Sequence, residues 1–284
     1  MRNEAEMMEL ILGTASGDER IRAVFLNGSR VNPTVEADRF QDYDVVYLVT
    51  EMASFLNDDS WIDRFGERVI LQMPERMKLV PPDDNGRFPY LMQFEDGNRI
   101  DLNLIPVEQA GDYVREDKLI RVLLDKDGLL PKLSEPTDED YYVEPPNREF
   151  FDNCCNEFWW VSLYVAKGIW RGELLYALDH LNGPVREMLM QMLNWQAGYR
   201  TGFSVSTGKN GKYLQRYLPQ ESWESLLRTY PAAESSSIRQ ALEAAAELFG
   251  RTARDVAQNL GCLYDEEQEL RVRRYMERVF GELE

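Results

Sequence analysis

The sequence predicts an α+β protein in two parts, on three observations. In the first half, apolar runs of strand length alternate with polar turns and short helical patterns. From Glu149 onward apolar residues recur three or four apart, as in Phe150, Phe151, Cys154, Phe158, Val161, Val165 and Ile169, which is helical spacing throughout. Between these regions Pro131, Pro136, Pro145 and Pro146, with acids among them, read as a connection. The expected organisation is an α/β domain with a mixed sheet over 1–135, a linker over 136–147 and a C-terminal helical bundle over 148–284. At 284 residues each part is long enough to bury its own core.

The elements follow in order. Met7, Met8, Leu10, Ile11 and Leu12 have helical spacing over Glu4 to Ala15, and Ser16-Gly17-Asp18 ends that helix. Ile21 to Leu26 and Val45 to Thr50 read as strands, Trp61 to Phe65 as a short helix and Val69 to Met73 as a further strand. Residues 80–89, with Pro81-Pro82 and Asn85-Gly86, are expected to be a loop. Tyr90 to Phe94 and Arg99 to Pro106 form a hairpin around Asp96-Gly97-Asn98. Asp125-Lys126-Asp127-Gly128 resembles a calcium loop only superficially, since Leu123 stands where an acidic or amide ligand is needed. In the second half Leu174 to Leu181 continues the helical pattern. Asn182-Gly183-Pro184 then turns into a helix through Trp195, Ser222 to Leu227 is short, Ser237 to Leu260 holds one or two helices, and the last runs from Glu266 to Phe280.

The chemistry concentrates in the first half. An apolar run enters Gly28-Ser29, and after a polar loop the chain returns through Asp42-Tyr43-Asp44 into a second apolar run. Residues two apart on a strand point the same way, so Asp42 and Asp44 present adjacent carboxylates. Such a pair repels itself and is best tolerated around a hard cation such as Mg²⁺. Gly28 permits close backbone approach, leaving Ser29 and neighbouring amides for phosphate oxygens. Downstream, Ile100, Leu102 and Leu104 alternate with Asp101 and Asn103, a half-buried strand whose polar face carries Asp101. If its strand neighbours that of Asp44, three carboxylates converge; otherwise Asp42-Tyr43-Asp44 is a surface turn.

Gly28-Ser29, Asp42-x-Asp44 and a lone Asp on a later strand resemble the DNA polymerase beta-like nucleotidyltransferases. More narrowly, residues 40–44 (Phe-Gln-Asp-Tyr-Asp), 94–98 (Phe-Glu-Asp-Gly-Asn), 154–159 (Cys-Cys-Asn-Glu-Phe-Trp), 178–182 (Leu-Asp-His-Leu-Asn) and 208–210 (Gly-Lys-Asn) resemble the aminoglycoside 6-adenylyltransferases, as far as about Tyr230. The resemblance implies transfer of AMP from ATP to a streptomycin hydroxyl, the 6-position, with release of pyrophosphate. It implies Asp42 and Asp44 as Mg²⁺ ligands, Asp101 as base, metal ligand or both, and Gly28, Ser29 and Arg30 near the phosphates. The alternative is a nucleotidyltransferase acting on another cationic small molecule or a protein side chain.

Composition narrows the partners. A net charge of −18 repels nucleic acid, whose binding needs cationic neutralisation, and attracts a polycationic small molecule. Three cysteines, two of them adjacent, give no disulfide framework or zinc spacing. No apolar run approaches membrane-spanning length, and a reduced, cytoplasmic, monomeric protein without a membrane partner is expected. His180, the one histidine, reads as packing or capping at a helix end. The segment from Gly202 to Asn210 departs from a phosphate-binding P-loop in its glycine spacing and in having Asn210 where Ser or Thr should stand. It still offers Lys209 and Lys212 to a triphosphate within a very acidic chain. Trp159, Trp160, Tyr164 and Trp170, at helical spacing, read mostly as core. Glu157, Glu173 and Asp179, set among these helices, are candidates to pair with guanidinium groups of the drug.

Overall fold

The computed structural model describes residues 1–79, 81–128 and 130–282. Val80 of the expected loop, Leu129, Leu283 and Glu284 lie outside the described residues. The chain divides into two compact units, Met1–Asp140 and Tyr141–Glu284.

In the first unit, helix α1 (Glu4–Ser16) starts on a reciprocal cap: Asn3 Oδ1 accepts from the Glu6 amide at 3.0 Å, and Glu6 Oε2 accepts from the Asn3 amide at 2.7 Å. Met7, Ile11 and Ala15, four apart, bury one stripe of it against the sheet. Strands β1 (Ile21–Asn27), β2 (Tyr43–Val49), β3 (Arg68–Gln72), β4 (Phe88–Phe94), β5 (Arg99–Pro106) and β6 (Ile120–Asp125) form one sheet in the order β3-β4-β5-β2-β1-β6. Only β2 and β5 run parallel among these pairings. The central β2 is buried on both faces, which is why it reads as a continuous apolar run. Tyr43, Val45, Tyr47 and Val49 join the core under α1, and the Tyr47 hydroxyl donates to the Ile11 carbonyl at 2.6 Å. Val46 and Leu48 face the opposite layer, where Phe25, Ile105 and Tyr113 of helix α3 (Ala110–Glu116) pack.

Three elements of this unit escaped the sequence pattern: helix α2 (Met52–Leu56), helix α3 and the edge strand β6. The first two are too short to show periodicity. Strand β6 ends at Asp125, whose carboxylate accepts from the amides of Asp127, Gly128 and Leu130 at 3.2, 2.9 and 3.0 Å. Asp125 closes a turn there.

The second unit is helical. Helices α4 (Arg148–Trp170), α5 (Leu174–His180), α6 (Arg186–Thr201), α7 (Gln220–Leu227), α8 (Ser235–Leu260) and α9 (Glu266–Gly281) share one core. Its centre is Phe158 stacked on Phe249, with ring centroids 3.8 Å apart. Helix α8 is continuous, and a single wide turn over Leu181–Val185 joins α5 to α6. The aromatic group at helical spacing divides, contrary to expectation. Trp159 is 1% exposed and donates to the Tyr264 hydroxyl at 2.9 Å, whereas Trp160 and Trp170 are 56% and 48% exposed. His180 packs against Tyr164 and Tyr176, with Nδ1 2.8 Å from the Tyr176 carbonyl oxygen, a structural position at the end of α5. Among the described residues, no helix is long and apolar enough to cross a membrane.

Candidate active site

The strands bearing the carboxylates are neighbours. Asp44 of β2 lies level with Asp101 of β5, and Asn27 of β1 lies level with Asp44, so these three residues form a row across the sheet. Asp42 stands two residues before Asp44, just ahead of β2. The chain turns sharply between β1 and the polar loop through a 3₁₀ turn at Gly28–Arg30. Gly28 has φ +69°, and a Cβ there would overlap Asp44 Oδ2, so the close approach of turn and carboxylate requires glycine.

Charge is left unbalanced at this spot. Burial pushes the Asp44 carboxyl up to about 6, and the negative charges of Asp101 and Asp42 add to that shift against the opposing Arg99 and Arg30. Burial also raises Asp42, with Arg99 the main opposing charge. Arg99 is a functional candidate that motif reasoning passed over. Its Nε and Nη2 donate to the two oxygens of Asp101, both at 2.7 Å, and its Nη1 lies 3.5 Å from Asp42 Oδ2. The signal was present in the alternation, because Arg99 precedes Asp101 by two on one face of β5.

Other candidates fall into place separately. Arg30 faces the protein: it lies 3.6 Å over the Tyr43 ring and donates to the backbone carbonyls of Asp42 and Gln41 at 3.1 and 2.8 Å. These bonds hold the backbone that carries Asp42. The Gly28 amide donates to the Leu119 carbonyl at 3.3 Å, which takes it from the amides expected to face phosphate. Ser29 is half-buried in the turn, where its carbonyl accepts from Gln41 Nε2 at 3.3 Å.

In the second unit Lys209 and Lys212 are exposed at a 3₁₀ turn over Lys209–Gly211, with the Lys212 amine 4.9 Å from the Tyr213 ring centroid. Glu157, on α4, lines a cavity of about 750 Å³ together with Glu144, Tyr141, Phe150, Trp195 and Asn194. Glu173 and Asp179 are exposed outside that lining. Glu173 immediately precedes α5 with Arg171 at 3.9 Å, and Asp179 lies on α5.

The row of oxygen donors suits a hard divalent cation: burial and the neighbouring negative charges raise Asp44 and Asp42 against the opposing charges of Arg99 and Arg30. Among the described residues, no three acidic, histidine or cysteine side chains converge tightly enough to form a finished metal site, and Arg99 occupies both Asp101 oxygens.

A family model described as streptomycin adenylyltransferase matches residues 1–279. An aminoglycoside 6-adenylyltransferase of Bacillus subtilis (strain 168) is 43% identical over 281 residues, covering 99% of both chains. One from Campylobacter jejuni is 45% identical over 269 residues, covering 94% of this chain and 93% of its own. A solved structure of an aminoglycoside 6-adenyltransferase from Bacillus subtilis is 39% identical, with 99% of both chains covered and a TM-score of 0.49. A match over almost the whole chain places this protein in the streptomycin adenylyltransferase family of nucleotidyltransferase enzymes.

Proposed function

We propose that the protein transfers AMP from ATP to a hydroxyl of an aminoglycoside, with streptomycin and its 6-hydroxyl as the expected acceptor, and releases pyrophosphate. The observation that carries this reading is the level pairing of Asp44 with Asp101 on parallel strands, with Asp42 beside them and Gly28 against Asp44. In the reaction the acceptor oxygen bonds to the α-phosphorus, the bond to the bridging oxygen of pyrophosphate breaks, and the hydroxyl proton leaves to a base. Asp101 is the candidate base, and Arg99 must release one of its two bonds before that carboxylate can accept a proton. Asp42 and Asp44 would hold Mg²⁺, which supplies positive charge against the triphosphate. Ser29 lies in the turn expected to meet the terminal phosphates, and Arg30 anchors the backbone from which Asp42 projects.

For the acceptor, the cavity at Glu157 offers two carboxylates, Glu144 and Glu157, beside aromatic faces. That combination suits a cation carried on rings, through charge-assisted hydrogen bonds and cation–π contact. The net charge of −18 favours such a ligand at longer range. The test is pyrophosphate release from ATP and Mg²⁺ with streptomycin and a panel of other aminoglycosides. Adenylylated drug is expected, and no release with any of them would refute the reading.

A further inference from the structure

We propose that Asn27 and Asn103 form a subsite beside the carboxylates that receives hydroxyl groups of a polyol ring; the inference rests on the nucleotidyltransferase reading above. Asn103 follows Asp101 by two residues, so both lie on one face of β5, while Asn27 lies level with Asp44 on β1. The two asparagines, with Asp44, Asp101 and Tyr113, line a cavity of about 230 Å³ on that face. Asn27 Nδ2 donates to the Tyr113 hydroxyl at 2.7 Å, which fixes its carboxamide. The Oδ1 atoms of Asn27 and Asn103 are both buried without a hydrogen-bond partner. Native proteins seldom leave a buried carbonyl oxygen unpaired, and two on residues that line one cavity mark a place for a donor.

The chemistry of the wall selects that donor. The two carboxamide oxygens are acceptors and no cationic side chain stands in the lining, so a hydroxyl that donates to them is welcome there. The volume takes part of one ring and not a whole substrate. Two molecules of the reaction carry such hydroxyls: the cyclitol or sugar of the acceptor, and the ribose of ATP.

The experiment is steady-state kinetics and calorimetric binding on wild type and Asn103→Leu, which removes the acceptor atom. Asn103→Ala is read in the same way if the leucine variant does not fold. A rise of roughly tenfold in the KM for the aminoglycoside, with the KM for ATP and kcat little changed, assigns the subsite to the acceptor. A similar rise for ATP, accompanied by loss of wild-type discrimination against 2′-deoxy- or 3′-deoxy-ATP, assigns it to the ribose. Asn103→Thr, which restores a hydroxyl acceptor, should recover part of either loss. Unchanged KM values for both substrates in a folded variant would mean that only water occupies the cavity, and would overturn the proposal. If wild type adenylylates no aminoglycoside, the reaction assignment fails on its own. The subsite is then judged by calorimetry: weaker binding of ATP or drug to the variant sustains it, and equal affinity for both removes it.

Discussion

Asp44 and Glu269 are both carboxylates drawn at least partly out of water, one in each unit, and the chain treats them in opposite ways. Glu269 on α9 is 5% exposed, and its two oxygens accept from Arg254 Nη2 and Arg273 Nε, each at 2.8 Å. Gly250 of α8 makes the space, since a Cβ there would lie 2.5 Å from Glu269 Oε1. Its charge is matched by two arginines, and its role is to join α8 to α9. Asp44 instead faces Asp101 and Asp42, has no arginine of its own, and is raised to about 6. A buried acid with its counter-charges supplied is part of the architecture. One held among like charges on an open cavity is poised for a ligand that brings positive charge.

The largest effect that tests this contrast is at the carboxylate row. Asp101→Asn should lower turnover by about 10²–10⁴-fold if it is the base, leaving Mg²⁺-dependent nucleotide binding and drug binding nearly intact. Asp44→Asn should weaken metal-dependent nucleotide binding and turnover together. Calorimetric titration of each variant beside its rate separates the two roles. If Asp101→Asn loses nucleotide binding as badly as Asp44→Asn, Asp101 is a metal ligand and the base assignment fails.

The next effect is on stability without metal or nucleotide. A carboxyl at about 6 in the folded protein and near 3.8 when unfolded binds more protons folded. Its stabilising contribution is therefore present below about 3.8 and is lost as pH rises to about 6. By neutral pH that loss is on the order of 3 kcal/mol. In chelator, Asp44→Asn should melt above wild type at pH 7, and the advantage should shrink as pH falls toward 4. A pH-independent difference would show that burial and its acidic neighbours do not raise the Asp44 carboxyl.

Glu269→Gln should behave in the reverse sense. It removes the charge that two arginines share, and unfolding by urea should show a loss of about 2 kcal/mol, with kcat unchanged. Any selective fall in kcat in a folded Glu269→Gln variant would break the division between the two acids. The smallest effect is expected at the exposed turn of the second unit. Lys209→Ala should raise the KM for ATP several-fold and leave that for the drug alone. Identical ATP kinetics in Lys209→Ala, Lys212→Ala and the double variant would reduce these lysines to a solvated surface.

Much of the fold was legible because it rests on local rules. Alternation in Ile100-Asp101-Leu102-Asn103-Leu104 marks a strand with one polar face, and the spacing of Phe151, Cys154, Phe158, Val161 and Val165 marks a helix stripe. Asp42, Asp44, Asp101 and the Gly28 turn stand out by residue type and spacing. Short elements escaped: the five residues of α2 and the seven of α3 are too few for a period to emerge. Strand β6 needed knowledge of its partner, β1.

What the tertiary structure alone decided is who stands beside whom. Nothing local requires β5 to pair in parallel with β2, yet that pairing puts Asp101 level with Asp44, where its charge adds to burial in raising the latter's carboxyl. Similarly, the chain places Arg99 and Asn103 two residues either side of Asp101, but only the folded sheet turns one into a clamp on its oxygens and leaves the other with an unpaired amide oxygen. Side-chain alternation is a property of one strand and can be read along it. Electrostatics and hydrogen-bond satisfaction depend on distances between strands remote in sequence, and these exist only after the chain has folded.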